Sequence, residues 1–271
     1  MIQTFISVIK KIRQIINILI ALPFLALFYI YVNLGYYYYN KDKNDATRKK
    51  FTDIYWGSIF KMIGFCINNK INYLGDNKIN WEKVTLVNAN HVHQSDIFIL
   101  FNLFNQNNLK GNQMTSISTS NGIDDLDKKI LFQANSAMVN GTKDDINNII
   151  DGFKLWNSRN YNSAVIIFFE GIAKNDSKEQ SNTLKYLLDP KTLGFTLTVK
   201  YSQAKYMYDV NLIYTYQGKL MDSRDPNFTW LLFHPDTKIY VDLHKYQLPV
   251  YEKATQWIKD LYHIKDQQID N

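Results

Sequence analysis

A chain of 271 residues, 46% of them hydrophobic and 15% aromatic, carries enough apolar material for one sizeable core, which excludes an intrinsically disordered chain. The formal net charge of +6 suits an anionic surface such as phospholipid or coenzyme phosphate; the Lys and Arg residues are scattered and match no standard nucleic-acid module, so nucleic acid is the weaker partner. The single cysteine, Cys66, excludes an intrachain disulfide and fits a reducing compartment.

No charged residue occurs between Arg13 and Lys41. As a helix rising about 1.5 Å per residue, this run exceeds the roughly 30 Å hydrocarbon core of a bilayer. The sequence therefore predicts an N-terminal membrane helix, with Tyr36 to Tyr39 at the interface and a kink tolerated at Pro23. A cleaved signal peptide fits less well, because the apolar stretch is too long and no small-residue cleavage site follows it. A buried core helix is the plainer alternative, and a kinked hairpin returning to the same side is another. Lys10, Lys11 and Arg13 precede the run, and a heavier cluster from Lys41 to Lys50 follows it, which favours a cytosolic globular part. A second helix, capped by Asp45 or Thr47, carries Ile54, Tyr55, Ile59, Met62, Ile63 and Cys66 on one face.

From Lys70 onward, short apolar runs alternate with helical patterns. Residues 71–74, 84–89, 114–118, 137–139, 164–169, 206–216 and 238–243 read as strands. Residues 95–104, 144–156, 182–188 and 195–203 read as helices, and a last helix lies near 251–262 with Trp257 and Leu261 on one face. Such alternation predicts an α/β domain with a central mixed sheet flanked by helices. The division is a membrane anchor over residues 1–42 and one domain over residues 43–271.

Two segments carry chemistry. In VTLVNANHVHQSDIFIL, a buried strand ends at Ala89, Asn90 and His91 follow on a tight connection, and Asp96 opens an apolar helix. That spacing lets the carboxylate hold one imidazole nitrogen, fix its tautomer and leave the other nitrogen as a base. The plain alternatives are a structural loop histidine and a helix-capping aspartate. His93 adds the option of a His-x-His metal site, but no further compact ligand cluster accompanies it. In AVIIFFEGIAKNDS, a hydrophobic strand runs into Glu170 and Gly171, with Lys174 close behind. The glycine permits a sharp exit and the approach of a ligand; an ordinary exposed turn is the alternative.

Together and in this order, the segments resemble the glycerophospholipid acyltransferase superfamily, which has an Asn-His-x-x-x-x-Asp motif followed by Phe-Pro-Glu-Gly-Thr. The counterparts here run from Asn90-His91 to Asp96 and from Phe168 to Ile172. The resemblance continues in LLDPKTLGFTLTVK (Leu187 to Lys200), YMYDVNLIY (Tyr206 to Tyr214) and the tail WIKDLYHIKDQQID. These look like the eukaryotic-type branch that contains 1-acylglycerol-3-phosphate, lysocardiolipin and lysophosphatidylinositol acyltransferases. Phe169 and Ile172 depart from the motif's Pro and Thr. Ala173 stands where many members have Arg. No Arg occurs near Asn135 to Asp145, where Lys143 is the nearest cation.

The resemblance implies a glycerol-3-phosphate acyltransferase-like domain that moves a fatty acyl group from acyl-CoA to a lysophospholipid hydroxyl. His91 would be the general base and Asp96 its orienting carboxylate. Asn90, Glu170, Gly171, Lys174 and Lys143 would contact or shape the substrate site. Acyl-CoA enters as a substrate, with no bound cofactor and no metal. The expected partners are lysophospholipid, acyl-CoA and membrane lipid. The expected location is a membrane, endoplasmic reticulum-like, with the globular part cytosolic. A noncatalytic membrane-tethered lipid-binding protein and a lipid hydrolase using water are the rival readings. Loss of both Arg positions disfavours a phosphate monoester acceptor, because monoester sites usually present Arg forks.

Overall fold

In the computed structural model the described residues are 29–37, 70–93, 95–119, 136–140, 142–171, 183–221 and 236–270, with isolated positions elsewhere. At their centre lies β2 (Thr85–Ala89), an entirely buried strand. Its parallel neighbours are β5 (Ala164–Ile167) and the first half of β6 (Tyr206–Tyr216). With β1 (Ile71–Leu74), β3 (Met114–Thr119), β4 (Ala137–Val139), the short β7 (Lys219–Leu220) and β8 (Thr237–Gln247), they form one eight-stranded sheet ordered β1-β8-β6-β2-β5-β3-β4, with β7 beside β6. The ladder is parallel except where β6 meets β7 and β8. The expected mixed sheet is therefore present, and β8 runs four residues past the predicted end because its whole length pairs with β6.

Period-two alternation sorts each strand's side chains between two cores. Val87 and Ala89 of β2, Ile166 of β5, and Tyr208, Val210 and Leu212 of β6 face α1 (Asp96–Gln106). That helix contributes Ile99, Leu100, Leu103 and Phe104 to the same cluster. Leu86, Val165, Ile167 and Met207 face the opposite way. There they meet α2 (Asp145–Ser158), α3 (Thr192–Tyr201) and α4 (Ala254–Asp270), which pack through residues including Phe153, Trp156, Phe195, Ile258 and Tyr262. The result is three layers, with β2 and β5 buried on both sides, as a strand covered on both faces of a parallel sheet must be.

Residues 183–188 are bends and irregular backbone, not the helix their sequence pattern suggested. The cause is competition for backbone donors. The N–H groups of Lys185, Tyr186 and Leu187 donate to the carboxylate of Asp266 on α4, at 2.8, 2.6 and 2.9 Å. Leu188 N–H turns toward Glu170 Oε2. A segment whose amides are taken by side chains has none left for an i→i−4 ladder.

Among the described residues no helix is long and apolar enough to cross a membrane. The expected N-terminal membrane helix therefore lacks support, and most of its span lies outside those residues. What is described is helical at 29–37, where Val32 packs into the α1-side core while Ile30 and Leu34 are exposed. The predicted second helix lies outside the described residues, apart from helical Ser58 and the buried Ile67.

Phe153 is fully buried between α2 and the sheet, edge-on to Trp156 with ring centroids 5.0 Å apart. Phe153→Ala should lower unfolding stability by about 3–5 kcal/mol, read as a lower urea midpoint at an unchanged m-value.

Candidate active site

The site begins where β2 ends. The last β2–β6 pair is Ala89 with Val210. Asn90 then continues the ladder with its side chain: Nδ2 donates to Leu212 O at 2.9 Å, and Oδ1 accepts from Leu212 N–H at 2.7 Å. The amide stands in for a strand residue, so the main chain is free to turn outward while still anchored to β6.

That turn places His91 above the strand ends, and Asp96 closes it. Asp96 is fully buried. Its Oδ2 lies 3.1 Å from His91 Nδ1 and accepts from Val92 N–H at 2.7 Å and His93 N–H at 2.9 Å. Its Oδ1 accepts from the Tyr214 hydroxyl at 2.5 Å. Burial, then the adjacent Asp96 charge, pushes the Tyr214 hydroxyl well above its ordinary range, which keeps it a donor. Four donors to one carboxyl group leave the ring-facing oxygen able to hold Nδ1–H, so the unprotonated nitrogen is Nε2. His91 Nε2 has no hydrogen-bond partner among the described residues, and the side chain is 16% exposed. The ring lies flat on Phe168, with centroids 4.0 Å apart and planes 18° apart. His93, by contrast, uses Nδ1 to accept from Ser95 N–H at 3.2 Å and so braces the same loop.

Beside β2, β5 ends at Ile167, two residues before its predicted end. The chain turns there because Gly171 N–H donates back to Phe168 O at 2.9 Å. Gly171 has φ +83°, and a Cβ there would come within 3.1 Å of Lys191 Cγ, so both backbone conformation and space call for glycine. The turn buries Glu170 beneath the His91 loop. Its Oε1 accepts from His91 N–H at 3.1 Å, and Oε2 from Leu188 N–H at 3.4 Å. Burial pushes the Glu170 carboxyl up to about 8, with nearby Asp96 adding to the effect and Lys265 opposing it. Phe169 turns the other way into the core, edge-on to Phe195 at 5.1 Å.

Five of the residues singled out from sequence thus converge: Asn90, His91, Asp96, Glu170 and Gly171. Lys143 is exposed in the turn before α2, beyond the carboxyl end of β4. Three strand spacings separate β4 from β2, about 14 Å of sheet width. Lys174, Ile172 and Ala173 lie outside the described residues, as does Gly141. Sequence reasoning missed Tyr214 and the role of Phe168. Tyr214 gave no local signal, because Tyr208 on the same face of β6 is also a polar-tipped ring in the same cluster.

The arrangement suits proton abstraction from a hydroxyl: an oriented imidazole with a free Nε2, at the carboxyl ends of parallel strands, where α/β sheets place their ligands. No protein-family model matches the chain, and no curated protein sequence matches it. Among solved structures, the fold is similar to that of the 1-acyl-sn-glycerophosphate (LPA) acyltransferase PlsC from Thermotoga maritima, with a TM-score of 0.57 and 16% sequence identity over 95% of this chain and 98% of that one. That likeness establishes the α/β fold with its central mixed sheet.

The raised Glu170 carboxyl has a measurable consequence. Between the ordinary carboxyl value of 4.5 and about 8, the folded state holds a proton that the unfolded chain has released. Stability attributable to this group therefore falls as pH rises through that window. Glu170→Gln keeps the shape and removes the titration, so its stability gain over wild type should grow between pH 5 and pH 8, by on the order of 1–3 kcal/mol. Urea unfolding at several pH values measures this; a gain that does not change with pH would show that Glu170 is not the group concerned.

Proposed function

We propose that the protein is an acyl-CoA-dependent lysophospholipid acyltransferase. The observation that carries this reading is the His91–Asp96–Tyr214 chain with Nε2 left free, set in a fold similar to that of an acyltransferase. Nε2 of His91 takes the proton of the acceptor hydroxyl as that oxygen attacks the thioester carbonyl carbon. The C–S bond breaks, and the imidazolium returns its proton to the departing CoA thiolate. Asp96 holds Nδ1–H and stabilises the transient imidazolium. The acceptor is itself the nucleophile, so no acyl-enzyme is needed. Asn90, Glu170 and Gly171 shape the loop around the base. Neighbouring backbone amides and Lys174 are the proposed partners of the developing negative charge.

The acceptor we favour is a lysophospholipid whose phosphate carries a further group, of the lysophosphatidylinositol or lysocardiolipin kind. The cation beside the Glu170–Gly171 turn in the sequence, Lys174, is a point charge without the bidentate fork that a doubly charged monoester usually meets, and Lys143 lies three strand spacings away beyond β4. The protein is further proposed to work at an endomembrane surface with the domain over 43–271 on the cytosolic side. The support is the charge-free run, in which Ile15, Leu19, Leu22, Leu27, Ile30 and Leu34 recur at helical spacing and are exposed.

The test is acyl transfer from acyl-CoA to a panel of lysophospholipids at equal concentration. His91→Ala should fold and lose about 100- to 10,000-fold in turnover. Asp96→Asn should be comparably severe, because an amide in place of the carboxylate favours the wrong tautomer. Wild-type turnover by folded His91→Ala would sink the mechanism, and a preference for lysophosphatidic acid would sink the acceptor assignment. The full-length chain should also sediment with membranes and resist carbonate extraction; recovery in the soluble fraction would refute the anchor.

A further inference from the structure

Between the β5 turn and α3 the chain forms no regular element, yet six consecutive amides, from Thr183 to Leu188, each donate to a side chain. Ser181 Oγ accepts from Thr183 N–H and Leu184 N–H, at 3.1 and 2.9 Å. Asp266 of α4, only 9% exposed, takes the next three. Its Oδ2 holds Lys185 N–H, and its Oδ1 holds both Tyr186 N–H and Leu187 N–H. Leu188 N–H goes to Glu170 Oε2 at 3.4 Å. Pro190, which has no N–H to place, comes next but one. Lys191 N–H then donates to Phe169 O at 2.5 Å. The Lys191 stem crosses Gly171, with Cγ 3.1 Å from where a Cβ on that glycine would lie.

The segment is thus a strap, fastened to α4 at Asp266 and to the turn over 168–171 at three points. Those points are the Glu170 carboxyl, the Phe169 carbonyl and the α-carbon of Gly171. Two contacts carry the position of that turn on to the histidine. Glu170 Oε1 accepts from His91 N–H at 3.1 Å, and the Phe168 ring stacks on the imidazole at 4.0 Å. Every step from Asp266 to His91 is a hydrogen bond, a ring contact or the continuity of the chain.

We propose that Asp266 is a positioning residue for His91, acting through the strap and the Glu170 turn. Leu184 and Leu187 already bury themselves in the core on the α4 side, so apolar packing alone would hold the strap down. Such packing has no direction. A carboxylate that takes three successive amides does have one, and removing it from water is costly unless its oxygens meet donors. By fixing the backbone over 185–187 it aims the next amide, that of Leu188, at Glu170 Oε2. The other Glu170 oxygen is then left for His91 N–H. Asp96 sets the rotation of the imidazole, and the strap sets the seat of its backbone. Reactions that depend on an oriented base are sensitive to displacements of this kind.

The inference rests on the proposed reading of His91 as the base, and two readouts separate them. Asp266→Ala removes the acceptor of all three amides. Asp266→Asn keeps one acceptor oxygen and sets a side-chain N–H against a backbone N–H, so the strap should fold with a weaker hold. Ile258→Val, on the same helix and buried in the same core, supplies a variant weakened by packing alone. In the acyl-transfer assay Asp266→Ala should lose about 10-fold in kcat and Asp266→Asn about 3-fold, while KM for both substrates stays within about 2-fold. Ile258→Val should lower the melting temperature and keep kcat. Independently of any activity, hydrogen–deuterium exchange resolved to single amides should quicken together at 185–188 and at His91 in both Asp266 variants, by about 10-fold or more over Ile258→Val. Faster exchange at 185–188 with the His91 amide no faster than in Ile258→Val would mean that Asp266 folds only its own segment, and overturns the proposal. Wild-type kcat in both variants overturns it too, as does a loss that falls on KM and spares kcat. Should Asp266→Ala fail to fold, Asp266→Asn carries the same comparisons. If the wild-type chain transfers no acyl group, the functional reading fails, and exchange at the His91 amide alone decides whether Asp266 positions the histidine.

Discussion

The connection from β2 to α1, which carries His91, depends on one buried carboxylate. Asp96 is inaccessible to solvent, and a carboxylate in that position is tolerated only where its oxygens meet donors. Its four partners are the two amides after His91, the His91 ring and the Tyr214 hydroxyl. The same atoms that orient the imidazole therefore also fold the connection from β2 to α1. Without them, two loop amides and a buried phenol would lose their acceptor. Orientation of the ring and local stability are here one interaction, which explains why the loop can be short and still hold the imidazole in a fixed position.

Around that interaction the sheet works as a partition. On the α1 side lie Asp96, Tyr214 and the stack of His91 on Phe168. On the α4 side lie Asn88, Asp209, Tyr262 and Lys265. Glu170 sits where the two meet, at the carboxyl end of β5. Two carboxyl groups serve one histidine from opposite directions with different means. Asp96 meets four bonds, from the ring, two amides and a phenol; Glu170 meets two, both from backbone amides, and burial pushes its carboxyl up to about 8. Environments that set paired carboxyls apart are what assign them different duties.

Much of this was legible in the sequence, for physical reasons that differ by element. The strands of β2, β5 and β6 announce themselves through their runs of β-branched, aliphatic and aromatic residues, although β2 and β6 also bury Asn88, Asp209 and Asn211. The His91–Asp96 pair was legible because its two members lie five residues apart on one turn of chain. Tyr214 was not, since its partner lies 118 residues away and nothing local distinguishes it among 19 tyrosines. The predicted helix over 182–188 failed for the same reason. Its amides are claimed by Asp266 and Glu170, contacts that only the tertiary fold creates. Phe169 illustrates the converse. Read as a departure from a motif it suggests a weakened site, whereas its ring fills the core against Phe195 and leaves Glu170 and Gly171 in place.

The position of the apolar N-terminal residues follows from the same partition. Val32 and Ile67 enter the core on the α1 side, the side that carries Asp96, and not the side covered by α2, α3 and α4. A chain segment whose inward residue joins that cluster leaves Ile30 and Leu34 exposed, on the side of the sheet where Phe168 and His91 stack. On the proposed reading, both reactants are amphipathic, each with an acyl chain that prefers an apolar phase and a polar end that must reach Nε2. A lipid-seeking segment packed against the α1 side brings that phase to the histidine without exposing the polar layer under α4 to it. On that reading the acyl chains and the reacting hydroxyl meet one face of the sheet, and the other face is closed by α2, α3 and α4.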